Sequence, residues 1–312
     1  MAKIALIQQA PAVLDKAKTL QNAVLIIEEL ASQGVELAVF PEAYVPGYPA
    51  WIWRLRPGGD WGINEELHTR LLENSVDLSR DDLACLQAAA KKHCMTIVLG
   101  MNEKDSANSR TTIFNSAIVI SHKGEVVNHH RKLMPTNPER MVWGFGDGAG
   151  LNVIDTPVGR IGTLICWENY MPQARLALYS QGVEIYIAPT YDSGEGWIGS
   201  MQHIAREGRC WVLCCGVALE RSDLPTDFPS LDTLYPKDET WINPGDSVVI
   251  APGGEIMQGP LNREKGYLIF NVDAEKSTTA KRALDVAGHY SRPDVFSLQV
   301  NKKRQSITKF EE

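Results

Sequence analysis

Three side chains of this 312-residue chain stand where α/β sheets place their sites, at the carboxyl ends of strand-like runs. Residues 35–40 end in Pro41-Glu42, residues 125–130 in Arg131-Lys132, and residues 160–165 in Cys166. Taken singly, each has an ordinary explanation: a surface carboxylate, a solvated ammonium, a packed thiol. Free cysteine is among the most buried residue types. Together they make a chemically complete set. A thiol needs a base before it attacks, and a partly desolvated Glu42 supplies one. Lys132 balances negative charge developing on a substrate nitrogen or oxygen. A helix beginning near Pro172 points its N-terminus towards Cys166, which predicts a thiol shifted towards thiolate.

Other constellations compete with this one. His129 and His130 precede Lys132 and would make a papain-type Cys–His pair, but a histidine at a strand end is more often a satisfied structural residue. Cys210, Cys214 and Cys215 cluster near His203. On a strand, Cys210 and Cys214 share one face and Cys215 takes the other, so the three cannot converge, and no second Cys pair completes a tetrahedral metal site. Packing is the expected role. The run Gly144-Phe145-Gly146-Asp147-Gly148-Ala149-Gly150 is followed by a strand, so it lacks the helix N-terminus of a dinucleotide loop and reads as a loop built for tight turns.

The elements that must position these groups follow from periodicity. Residues 3–9 and 35–40 read as buried strands. Between them Leu20, Val24, Ile27 and Leu30 recur at helical spacing, with Asp15 as N-cap and Gly34 as the stop. A helix over 81–93, introduced by a capping signal at 79–82, leads to a strand over 96–101. Residues 113–120 and 125–130 form a hairpin around His122-Lys123-Gly124, and 151–155 and 160–165 repeat that pattern. Helices over 173–181 and 198–207 lead into strands over 184–188 and 210–219. Residues 221–243, punctuated by proline, read as an inserted surface loop, and strands over 247–251 and 265–272 follow. There are too few helices to cover both faces of one such large sheet. Two mixed sheets packed face to face, with helices outside, solve the problem.

At this point the motifs carry a resemblance. Phe40-Pro41-Glu42, Arg131-Lys132-Leu133 and Cys166-Trp167-Glu168-Asn169 are similar, in order and spacing, to the three motifs of the nitrilase superfamily. The resemblance spans the chain from the first strand to about residue 290. It implies a four-layer αββα sandwich, with Glu42 as general base, Lys132 as charge stabiliser and Cys166 as nucleophile. Glu139 resembles a second family glutamate that positions the substrate or the lysine. The flanking runs, Met171-Pro172 after Asn169 and Met134-Pro135-Thr136 after Leu133, resemble the true nitrilase branch. Cyanide-degrading relatives tend to carry His where Asn169 stands, which counts against that branch. Amidases, carbamoylases and a non-catalytic scaffold are the remaining alternatives.

The resemblance implies hydrolysis of an organic nitrile to a carboxylic acid and ammonia through a cysteine thioimidate and thioester, with no metal or organic cofactor. Tyr48, Trp143 and Trp167, with Trp51 and Trp53, are candidates to line an apolar pocket. Residues 1–290 are expected to form one hydrolase domain, and 291–312 a tail engaged in oligomer contacts. Family members assemble as homodimers or larger spirals, here through the helix carrying Gln173, Leu176 and Tyr179.

Composition bounds these readings. Hydrophobic residues make up 44% and charged residues 22%, with 31 Lys and Arg against 38 Asp and Glu, a formal net charge of −7. That balance suits a globular enzyme and argues against a nucleic-acid binder. The one dense basic run, Lys302-Lys303-Arg304, reads as a solvated tail. No stretch reaches the ~20 apolar residues of a membrane-spanning helix, and the N-terminus lacks the features of a signal peptide. Six cysteines are too few for a disulfide scaffold, and a reducing cytoplasm is expected.

Overall fold

A computed structural model describes residues 1–306 and Thr308. The chain opens with β1 (Ala2–Gln8), α1 (Lys16–Ser32) and β2 (Leu37–Val39). Asp15 caps α1 as expected: its carboxylate accepts the Lys18 N–H at 2.9 Å. Gly34, at φ +76°, follows the helix end, where a side chain would resist the left-handed conformation. Next come α2 (Trp61–Glu73), α3 (Ala84–His93), β3 (Thr96–Lys104), β4 (Ile113–Ile120) and β5 (Val126–Arg131). The second half holds β6 (Val153–Thr156), β7 (Gly159–Thr163), α4 (Pro172–Tyr179), β8 (Ile185–Pro189), α5 (Glu195–Gly208) and β9 (Trp211–Cys215). It ends with β10 (Ala218–Glu220), α6 (Leu231–Leu234), β11 (Trp241–Ile250), β12 (Ile256–Asn262), β13 (Gly266–Val272) and α7 (Glu275–Lys281).

These strands build two mixed sheets. The first runs β13-β1-β2-β3-β4-β5, and the second β10-β11-β9-β8-β7-β6, with β12 on β11. Strands β1, β2 and β3 are mutually parallel, as are β7, β8 and β9. Side chains alternate across each strand, and the alternation sorts them into layers. Ile185 and Ile187 of β8 face inward with Leu213 and Cys215, against Ile4, Leu6, Leu37 and Val39 of the other sheet. Tyr186 and Ala188 face outward and pack under Leu178, Trp197, Met201 and Ile204 of α4 and α5. On the opposite outer face, Ile27 and Leu30 of α1 and Leu86 and Ala90 of α3 cover Ala5, Ile7, Ile97 and Leu99. Each fully buried aliphatic side chain contributes roughly 1.5–3 kcal/mol. The result is the four-layer αββα sandwich expected from the motifs.

Several elements depart from the periodicity reading. The apolar run at 210–219 is two strands, because Gly216 N–H donates to Ser247 Oγ at 2.9 Å and leaves the ladder. Its cysteines do divide between faces: Cys210 and Cys214 lie under the outer helices and Cys215 between the sheets. Residues 79–82 do not cap α3. Asp82 instead accepts the Asp77 N–H at 2.8 Å and pairs with Lys16 at 2.5 Å, and the helix starts only at Ala84. The segment 221–243 is no simple surface loop. Leu224, Phe228, Leu234 and Tyr235 are buried with Trp51 and with Leu67 and Leu71 of α2, forming a fourth core above the sheets.

The glycine run at 144–150 does hold a tight turn, a 3-10 turn at Gly148–Gly150 in which the Leu151 N–H donates to the Gly148 carbonyl at 3.2 Å. It lies flat on β5: a Cβ on Gly146 would come within 2.1 Å of the Arg131 carbonyl oxygen. The Lys302-Lys303-Arg304 run is exposed, as expected of a solvated tail, and its Arg304 pairs with Asp147 at 3.1 Å. Residues 307 and 309–312 of the expected tail lie outside the described residues. Among the described residues, no helix is long and apolar enough to cross a membrane.

Candidate active site

The two sheets each contribute half of one buried cluster. Glu42 follows β2 and is 1% exposed. It sits low because the chain crosses β3 at Gly100, where a Cβ would meet the Pro41 carbonyl oxygen at 2.0 Å. One of its oxygens, Oε1, accepts from Lys132 Nζ and from Asn115 Nδ2, both at 2.7 Å. The other accepts the Tyr191 N–H at 2.7 Å.

Lys132 leaves β5 with its own N–H on the Asn115 carbonyl at 2.8 Å. Its ammonium also donates to Glu139 Oε2 at 2.7 Å, so one cation lies between two carboxylates. Glu139 stands in a short 3-10 turn (Asn137–Met141). It accepts the Thr136 N–H at 2.6 Å and the Tyr48 hydroxyl at 2.7 Å.

Cys166 comes from the second sheet, three residues beyond β7, with φ +50°. A non-glycine residue in that region costs of order 1–3 kcal/mol and persists only when its surroundings hold it. Here they do. Asn169 Nδ2 donates to the Cys166 and Leu164 carbonyls at 2.6 and 3.1 Å, and Tyr186 OH donates to Asn169 Oδ1 at 2.6 Å. The buried carboxylate of Glu168 accepts the Ile165 N–H at 2.7 Å and, from the other sheet, the Leu133 N–H at 2.5 Å. Glu168 thereby fastens the turn bearing the thiol to the strand exit bearing the lysine.

Electrostatics follow from burial. Desolvation raises the pKa of Glu42, Lys132 pulls it back in part, and the Glu139 charge raises it again. Burial works against the charge on Lys132, but Glu42, Cys166 and Glu139 outweigh it and hold the ammonium above the usual lysine range. The Cys166 thiol is pushed up by burial and by Glu42, against a lowering by Lys132. The expected shift towards thiolate is therefore overturned. Cys166 itself begins a short 3-10 turn (Cys166–Tyr170), and desolvation exceeds whatever a helix end offers. Burial and the two carboxylates also push the Tyr48 phenol well above its ordinary pKa, which keeps it a proton donor.

The cluster opens into a cavity of about 350 Å³. Of the aromatic candidates, Tyr48 and Trp167 line it, and so does Trp53. Trp143 does not. It is 3% exposed, donates to Asn102 Oδ1 at 2.8 Å and backs the lysine, whose Nζ lies 5.7 Å from its ring centroid. Trp51 is buried against Phe228.

The histidine rivals are engaged elsewhere. His130 Nε2 lies 3.0 Å from both Glu168 oxygens, and His129 pairs with Glu103 at 2.6 Å. Cys214 Sγ accepts from Trp197 Nε1 at 3.0 Å, and Cys215 lies against the Val39 carbonyl.

Sequence reasoning passed over the loop after β8. Thr190 neighbours the thiol and lowers its pKa slightly. Tyr191 donates its N–H to Glu42 and stacks on Tyr48 with ring centroids 3.7 Å apart. Asp192 lines the cavity and accepts from Trp167 Nε1 at 2.7 Å. The signal was present: Pro189-Thr190-Tyr191-Asp192 is a polar run at the carboxyl end of a parallel strand. Asn115, mid-strand in β4, gave no such signal.

Comparison with known proteins agrees with this geometry. The family model for carbon-nitrogen hydrolases matches residues 3–282. A nitrilase of Bradyrhizobium diazoefficiens is 38% identical over 307 residues, covering 96% of this chain and 92% of the relative. A bifunctional nitrilase/nitrile hydratase of Nicotiana tabacum is 37% identical over 305 residues, covering 96% of this chain and 84% of the relative. Among solved structures, a carbon-nitrogen hydrolase from Helicobacter pylori matches with a TM-score of 0.71 at 20% identity, over 94% of this chain and 96% of that one. That last likeness concerns the fold. Sandwich, motifs and relatives converge: this chain belongs to the carbon-nitrogen hydrolase family.

Proposed function

We propose that this protein is a nitrilase that converts a hydrophobic organic nitrile and two waters into the carboxylic acid and ammonia. The observation that supports it most is that Cys166 and Glu139 line one cavity while Lys132, bonded to Glu139, and Glu42, bonded to Lys132, lie directly behind them, in a chain whose similar relatives are named nitrilases. Tyr48, Trp53, Trp167 and Ile242 give that cavity its apolar wall.

In this reading Glu42 takes the Cys166 proton as sulfur attacks the nitrile carbon. A resting thiolate is not needed, because a carboxylate with a raised pKa is the stronger base. Negative charge developing on the nitrile nitrogen is offset by Lys132 and the backbone N–H of Trp167 until that nitrogen takes the proton from Glu42, which gives the neutral thioimidate and restores the carboxylate. Water, deprotonated by Glu42, adds to this thioimidate. Loss of ammonia breaks the C–N bond and leaves a thioester, and a second water breaks the C–S bond to release the acid. If C–S cleavage comes first, the product is the amide. Glu139 holds the ammonium from the far side and fixes its direction.

The family domain is taken to end near residue 290, and the tail beyond it to serve contacts between copies. Homodimers or larger assemblies form through α4, where Leu176 is exposed, and through Tyr290 and Phe296, 71% and 77% exposed. A reducing cytoplasm accords with six unpaired cysteines, two of them exposed.

A panel of nitriles with their matched amides tests the assignment. Ammonia release from at least one hydrophobic nitrile should exceed that from its amide, and mass spectrometry of quenched enzyme should find the adduct on Cys166. Faster amide hydrolysis across the panel would replace this reading with an amidase.

A further inference from the structure

The cavity wall carries an unusual charge census. Among the described residues its lining includes two carboxylates, Glu139 and Asp192, and no lysine, arginine or histidine. Behind the wall, Lys132 is already shared between Glu42 and Glu139 at 2.7 Å each, and Arg54, close to the lining residue Tyr191, is paired with Glu239 at 2.5 Å. Counted as formal charges, Glu42 and Glu139 against Lys132 leave the cluster one unit negative, and Asp192 adds a second unit on the cavity wall.

Asp192 is fixed and not fully satisfied. Its Oδ1 accepts the Ser193 N–H at 2.8 Å and its Oδ2 accepts from Trp167 Nε1 at 2.7 Å, and each carboxylate oxygen retains a lone pair for another donor. Trp53 and Trp167 line the same cavity and are 47% and 46% exposed. Exposed indoles beside a carboxylate form a receptor for an organic cation: the ring faces attract it, and the carboxylate completes its charge balance.

We infer that Asp192, with Trp53 and Trp167, makes a specificity subsite for a cationic or N–H-donating group at the end of the substrate remote from the reacting carbon, and that the same wall rejects anionic substrates. The inference rests on the nitrilase reading only for the electrophile. Within that reading, the preferred substrates are nitriles with an apolar body and a distal ammonium or similar donor, such as an aminoalkyl or aminomethylaryl nitrile.

Two measurements separate the subsite from the assignment of activity. The first is kcat/KM for three aryl nitriles of one shape bearing aminomethyl, methyl or carboxylate groups. The aminomethyl compound should exceed the carboxylate by at least about 10-fold. The second needs no turnover: methanethiosulfonate reagents bearing a trimethylammonium or a sulfonate are compared for their rate of modifying Cys166, read by peptide mass spectrometry and normalised to the exposed thiol Cys94. Both ratios should fall by about threefold or more in Asp192→Asn, whose one oxygen can still accept from Trp167 Nε1 while the charge and the acceptor for the Ser193 N–H are lost. If Asp192 merely orients Trp167, the ratios will not move, and the subsite is overturned. Equal rates for cation and anion in the unaltered protein overturn it too. If no nitrile turns over while the labelling ratio holds, the subsite stands and the nitrilase reading falls.

Discussion

One ammonium between two carboxylates, with a thiol whose pKa is raised, divides the work so that no single group is dispensable. Cys166→Ala removes the only sulfur at the cavity floor and should abolish turnover, with the circular dichroism spectrum and melting temperature near those of the parent. Cys214→Ala, whose sulfur only accepts from Trp197 between β9 and α5, should keep its activity and cost roughly 1 kcal/mol in stability. Turnover surviving the first change would eliminate Cys166 as the nucleophile. Lys132→Arg keeps the charge, but a planar guanidinium cannot donate to Glu42 and Glu139 from one point, so most activity should go. In Glu139→Gln the thiol should still alkylate while turnover falls, and normal turnover there would make Glu139 a structural carboxylate. The three strand-end residues were readable because chemistry demands rare types at definite places. The thiol's protonation was not, since it depends on burial, which periodicity does not quantify. Nor was the loop after β8, whose Thr190, Tyr191 and Asp192 have no motif of their own.

At the scale of elements, the site is carried by strand ends that must keep their register. Glu103 of β3 and Arg131 of β5 straddle β4, and Ser116 of β4 donates to the same carboxylate that Arg131 and His129 engage. Lys132 is the next residue along. Burial alone would raise the Glu103 pKa, but hydrogen bonds and charge from His129 and Arg131 win and bring it to about 2. A carboxylate with a depressed folded-state pKa stabilises the protein above its unfolded pKa and loses that effect as pH falls towards the folded value. Glu103→Gln should therefore cost roughly 2–4 kcal/mol at pH 7. The gap from the parent should narrow between about pH 4.5 and pH 2, measured by urea unfolding at each pH. A gap that stayed constant on acidification would remove the ion network from the account. Strands and outer helices were legible from alternation and helical spacing. Helix α2 escaped notice because only Leu67 and Leu71 of its face are buried. Strand β12 escaped because it is largely exposed and contains Pro260.

For the whole molecule, the exposed Tyr290, Val295 and Phe296 beside α4 form an apolar surface with a groove lined by Leu176, Ala177 and Val286. The proposed assembly covers it. Light scattering at micromolar concentration should report a dimer or larger, Leu176→Arg with Phe296→Ser should lower the mass, and a 34.6 kDa particle from the unaltered chain would end the proposal. The two-sheet architecture was legible from a count of helices against strands. The pairing of remote strands was not, because register between distant segments leaves no trace in local periodicity. That pairing has a consequence for synthesis. Strand β13 pairs antiparallel with β1, Leu268 opposite Leu6 and Val272 opposite Ala2, so the sheet bearing Glu42 and Lys132 is closed by the last strand among the described residues. Until residue 272 clears the ribosome, β1 presents an open edge of Ile4, Leu6 and their unpaired amides, a template for association with other nascent chains. A chain stopped after Asn262 should accumulate as aggregate or chaperone-bound material without activity, and co-expression of a chaperone should raise the yield of the full chain more than that of the truncated one.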